Sequence, residues 1–136
     1  MSSAIAALRA AIQAHLLADS GLIDLLGPGR IHDEAPRAAR GVYVVHGEVE
    51  AQDWSTGGDS GVEQQIALVV WADDSASSKR ALQAAGLVVA ALDHADLALA
   101  GHRLINLTWR SSRLARDAQT NLASVTLRFR AVTETL

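Results

Sequence analysis

Ten consecutive residues, Val62 to Trp71, alternate so that Val62, Gln64, Ile66, Leu68 and Val70 share one face of an extended chain, with Glu63, Gln65, Ala67, Val69 and Trp71 on the other. A period of two is what a strand presents, and a helix would scatter the same residues around its axis. The pattern returns near the C-terminus, where Val125, Leu127, Phe129 and Ala131 point one way and Thr126, Arg128 and Arg130 the other. Two such stretches predict a sheet with one covered face and one wet or partner-facing face.

The cover is supplied by two amphipathic segments. Ser2 and Ser3 are placed to cap a helix whose apolar stripe is Ile5, Leu8, Ile12 and Leu16, three or four residues apart. Asp73 to Ser78 is a cluster of capping residues opening a second helix, with Leu82, Ala85, Val88, Val89 and Leu92 on one side. Asp19 and Ser20 start a short helix, Leu22 to Leu26, which Gly27-Pro28-Gly29 ends. Arg30 to Asp33 reads as a brief strand, followed by a loop around Pro36 and Arg37 to Gly41.

Val42 to Val45 is β-branched and aromatic, and Gly47 to Glu50 carries the strand toward Trp54. Ser55 to Gly61 holds three glycines and no aliphatic residue, so it forms the exposed loop of a long hairpin. His102 to Arg110 and Ser124 to Thr133 alternate as the last two strands, with Asp117 to Asn121 as their turn. The reading is therefore α+β: a mostly antiparallel sheet, two amphipathic helices on one face and a protruding hairpin loop. A length of 136 residues suits one domain spanning 1–136.

Composition narrows the function. With 49% apolar and 20% charged residues the chain can bury a core, and a net charge of −3 argues against a dedicated nucleic-acid module. The absence of cysteine removes disulfides, thiolate metal sites and a cysteine nucleophile. No stretch reaches the roughly 18 to 20 apolar residues of a membrane span, and Met1 to Ala18 lacks the unbroken apolar run of a secretory signal. A soluble cytoplasmic product without a membrane partner is expected.

Catalytic patterns are weak. Gly58-Asp59-Ser60-Gly61 echoes the nucleophile segment of trypsin-like proteases, but that chemistry needs two barrels and a distant base and acid. A glycine-rich loop accounts for it. The five histidines, at 15, 32, 46, 94 and 102, show no metal-ligand spacing, and His32-Asp33-Glu34 alternates across a strand end. No cofactor, metal site or catalytic residue is expected.

Charge is distributed unevenly. Glu48, Glu50, Asp53, Asp59 and Glu63 concentrate on the first hairpin, and Arg110, Arg113, Arg116, Arg128 and Arg130 on the last two strands. The arginines form either a solvated sheet face, a surface that grips carboxylates of a neighbouring subunit, or a contact for DNA passing through a ring. Opposite charge on opposite hairpins suits head-to-tail closure. Among the three tryptophans, Trp71 and Trp109 suit the core or the second face of the sheet, and Trp54, beside the loop, suits an interface.

Several stretches together resemble a family. They are Gly29 to Pro36, Val42-Tyr43-Val44-Val45-His46-Gly47-Glu48, Asp53-Trp54-Ser55-Thr56, Leu68-Val69-Val70-Trp71, Leu97 to Leu104 and Leu127 to Glu134. In that order and spacing the chain resembles the small tail-completion, or tail-terminator, proteins of long-tailed siphovirus-type phages, prophages and gene transfer agents. Val42 stands where such sequences carry a proline before Tyr-Val. The resemblance implies a structural protein that forms a ring, hexameric in the particle, on the last ring of the tail tube. It implies as partners further copies of itself, the tail tube protein and a head-tail connector or stopper protein, with DNA met only in passage. It implies no catalytic residue. The rivals are a connector or stopper of the same particle and, from another class, a small hydrolase or ligand-binding enzyme using His32, Asp33 or His46. A deep polar pocket favours the enzyme, and a shallow surface with long hairpins favours the ring.

Overall fold

A computed structural model describes residues 3–34, 36, 40–58, 60–73 and 78–136. In chain order the elements are α1 (Ala4–Leu17), α2 (Ser20–Leu26), β1 (Ile31–His32), β2 (Val42–Asp53), β3 (Gly61–Ala72), α3 (Lys79–Leu92), β4 (Ala98–Leu99), β5 (His102–Arg116) and β6 (Ala123–Thr135). The strands form one six-stranded sheet in the order β1-β2-β3-β6-β5-β4. β1 lies parallel to β2 and the remaining neighbours are antiparallel. The α+β reading is correct, with the two-residue β4 as an addition.

The sheet follows its alternation. Ile66 faces Phe129, Leu68 faces Leu127 and Val70 faces Val125 across the β3–β6 ladder. Val44 and Leu107 join this face from β2 and β5, and all are buried with Leu8, Ile12, Leu16, Val88 and Leu92 of the helices. This interdigitation is the chief stabilising term, at about 1.5–3 kcal/mol for each large apolar side chain fully removed from water.

The helices start largely where capping chemistry places them. Ser3 Oγ accepts from Ala6 N at 3.0 Å, and Asp19 Oδ1 accepts from Leu22 N at 2.9 Å. Gly27, at φ +87°, ends α2 in a conformation that favours glycine. At α3, Ser78 holds the N-cap position without a side-chain capping hydrogen bond. Asp73 instead accepts from Gly41 N at 2.6 Å, tying the end of β3 to the start of β2. Ser2 and residues 74–77 of the expected capping groups lie outside the described residues.

The buried stripe of α3 also differs. Ala81, Ala84, Ala85, Val88 and Leu92 are buried, whereas Leu82 is 47% exposed. Alanines have short side chains that let the helix approach the sheet closely, and their 3–4 spacing carries the stripe while Leu82 is rotated off it. A final difference is length. β5 continues to Arg116, and its residues from Trp109 onward are exposed, so no core alternation marks the extension.

Candidate assembly interface

Two hairpins carry long exposed stretches, at the end of β2 and at the end of β5. On the first, a register shift between His46 and Val49 bends β2, after which Glu48 and Glu50 to Asp53 are exposed. The hairpin narrows where Trp54 N donates to Gly61 O at 2.9 Å. A Cβ on Gly61 would stand 2.9 Å from Trp54 O, so the glycine is needed for close approach of the two arms. This is the role of the last glycine in the protease-like tetrapeptide. Asp59 of that motif lies outside the described residues.

Glu63 departs from the other acids of its hairpin. It is 7% exposed, and Arg130 donates to its Oε2 through Nε at 2.7 Å and Nη2 at 2.6 Å. Gln52 Nε2 donates to Glu63 Oε1 at 2.5 Å. The hydrogen bond from Arg130 and then that from Gln52 hold the Glu63 carboxyl below its ordinary range, against an opposing effect of burial. Trp54, 46% exposed, places its ring 5.0 Å from the Arg130 guanidinium carbon. Because β3 pairs with β6, the acidic and basic hairpins are neighbours, and this pair is satisfied within one chain rather than between chains.

The arginines do not form one patch. Arg113 lies opposite Thr126, on the face that carries Arg128 and Arg130, whereas Arg116 lies opposite Ala123 on the helix-side face. A spacing of three cannot keep Arg113 and Arg116 together on a strand of period two. Arg116 Nη1 instead donates to Asn121 O at 2.8 Å, bracing the β5–β6 turn. Arg110 stands in the register shift between Trp109 and Ser111. Arg110, Arg113, Arg116 and Arg128 are exposed.

Trp109 is not core. It is 42% exposed, its N bonded to Asp93 Oδ1 at 2.9 Å and its Nε1 to Ser112 Oγ at 2.9 Å. Ile105 and Leu114 on the same strand are 46% and 48% exposed. Sequence reading missed these two aliphatic residues. Their signal was apolar character on a strand segment whose partner positions are already filled. Trp71 is partly buried on the helix-free face, paired with Tyr43.

The residues of the enzyme alternative serve the fold. His46, 8% exposed, donates from Nε2 to Gln13 Oε1 at 2.8 Å, and Gln13 Nε2 donates to Ile31 O at 3.0 Å. Arg9 Nη2 donates to Gly47 O at 3.0 Å, fastening α1 to the bend in β2. Burial, then the charge of Arg9, lower the His46 pKa, with Asp33 opposing. The ring of His32 meets Tyr43 edge-on at 6.1 Å. The space among Leu8, Ile12, His46, Val49 and Gln64 amounts to ≈ 10 Å³, about one water at most. Among the described residues no group of three or more His, Asp or Glu is placed to hold a metal, and no helix is long and apolar enough to cross a membrane.

Comparison with known proteins places the chain beside a known family and a solved virion. The family model described as tail completion protein gp17 matches residues 10–134. A chain in the solved virion of a native gene transfer agent particle superposes with a TM-score of 0.88 at 32% identity, over 98% of this chain and 99% of that one. No curated protein matches.

Proposed function

We propose a ring-capping role for this chain, which belongs to the family of tail completion protein gp17. It is a structural protein of a phage-type virion tail and not an enzyme. In our reading, copies close into a ring, six in the particle, on the last ring of the tail tube. The ring stops tube growth and offers its other side to the head-side connector or stopper, and DNA passes through its centre. The whole chain, 1–136, acts as one assembly unit, made in the host cytoplasm and resident at the tail–head junction.

The observation that carries this reading is the pair of long hairpins with exposed arms, Glu50–Asp53 at the end of β2 and Trp109–Arg116 at the end of β5. Exposed Glu48, Glu50 and Asp53 mark one, and exposed Arg110, Arg113 and Arg128 mark the other. Long arms with opposite charge and exposed aromatic residues suit recognition between surfaces. Deletion of the gene followed by electron microscopy of tails tests it. Overlong tubes without heads are expected. Tails of normal length without heads would instead assign the chain to the stopper, and normal headed tails would remove both.

A further inference from the structure

The two sides of the sheet are left unequal by their short edge strands. β1 pairs with β2 at Val44 and Val45, and β4 pairs with β5 at His102 and Arg103. Beyond those points no further strand pairs with the outer edge of β2 or β5 among the described residues. On β2, the bond from Trp54 N to Gly61 O turns Trp54, Gln52 and Glu50 toward β3, so the backbone groups of Val49, Ala51 and Asp53 turn outward.

β5 shows the same arrangement at the opposite side. Its outward groups at Leu107 O and Trp109 N are taken by His94 N at 2.8 Å and Asp93 Oδ1 at 2.9 Å, from the end of α3. Past the register shift, Thr126 and Arg128 of β6 bond toward β5, which leaves the groups of Ser112 and Leu114 pointing outward. Unpaired edges of this length are ordinarily blunted or covered. Among the described residues no strand pairs with the Val49–Asp53 edge or the Ser112–Leu114 edge, and exposed Leu114 lies on one while partly buried Val49 lies on the other.

We infer that the β2 edge of one copy pairs antiparallel with the β5 edge of the next, with Val49 opposite Leu114, Glu50 opposite Arg113 and Ala51 opposite Ser112. The direction follows from topology. β2, β3, β6 and β5 alternate up and down, so a following copy in the same orientation presents its β2 antiparallel to β5. The register follows from three requirements met together. Outward-turned backbone groups oppose one another, Val49 and Leu114 share the helix side, and Glu50 meets Arg113 on the helix-free side. The two edges are different surfaces, so the contact is head-to-tail and closes only as a ring. The inference rests on the ring reading and specifies its seam.

The chain has no cysteine, so an introduced pair reports without background. Glu50 and Arg113 fall at a non-hydrogen-bonded position, where Cα atoms stand about 4.5 Å apart, within the reach of a disulfide of roughly 4.4–6.8 Å. Particles carrying E50C and R113C together are oxidised with diamide and run on a non-reducing gel, with the Gln52→Cys and Arg113→Cys combination as the out-of-register control. A melting curve of the purified variant confirms folding. A ladder of covalent oligomers from the first pair, and little from the control, is the expected result. Rings visible at tail ends that give monomer from the first pair, or a stronger ladder from the control, overturn this register and leave the ring reading standing. Tails without a ring of this chain overturn both.

Discussion

Arg130 grips Glu63 with two donors, 2.7 and 2.6 Å from the same carboxylate oxygen, across 67 residues of sequence. The pair lies on the helix-free face and clamps β6 to the acidic hairpin near its tip. Removing one partner strands the other in a poorly solvated position. R130M is therefore expected to lower the melting temperature by several degrees, and more than E63Q, which leaves no buried charge without its counterion on the carboxylate side. Thermal melts at pH 7 compare the two.

The same pair makes stability fall in acid. The Glu63 pKa is lowered from its ordinary 4.5, so its contribution is present above that value and is lost as the pH falls through the lowered one. The difference in melting temperature between the parent chain and E63Q should shrink toward zero in that range. A difference unchanged at low pH would show that the carboxylate charge is irrelevant.

His46 acts at milder pH. Its pKa is lowered from 6.5, chiefly by burial, so in the window below 6.5 the unfolded chain binds the proton more readily than the folded one. Stability is fully present above about pH 6.5 and falls as the pH drops below it. Denaturant titrations across this window should show the decline, and H46Q should flatten it.

Much of the fold was legible in the sequence, for a physical reason. β3 and β6 are central strands with apolar residues on one face, and the period of two survives in the sequence wherever a core reads it. The legibility ends where the core ends. The extension of β5 through Ser111 to Arg116 has no buried residue, and α3 turns alanines rather than Leu82 to the sheet because closeness matters there more than side-chain size. The Glu63–Arg130 clamp depends on the β3–β6 register, which no local pattern encodes.

Gln64 is fully buried, and neither its Oε1 nor its Nε2 has a hydrogen-bond partner among the described residues. An orphaned buried polar group costs about 1–3 kcal/mol. Q64L should accordingly stabilise the chain by about that amount in chemical denaturation. A loss of stability would mean that an ordered water satisfies the amide.

Gly61 offers the opposite case. A methyl group there would press on Trp54 O at 2.9 Å, so G61A is expected to cost about 1–3 kcal/mol. Trp54→Ala should cost less, about 0.5–1 kcal/mol for the exposed contact with Arg130, and yet reduce particle yield sharply. Paired measurements of melting and of particle titre separate the two effects.

The number and position of copies at the end of an isolated tail decide the central claim. Cryo-electron microscopy of purified tails, with this chain fitted to the map, should show a closed ring of copies seated on the last tube ring at the head-proximal end. A single copy, an open arc, or density for the chain at the distal tip would contradict the account.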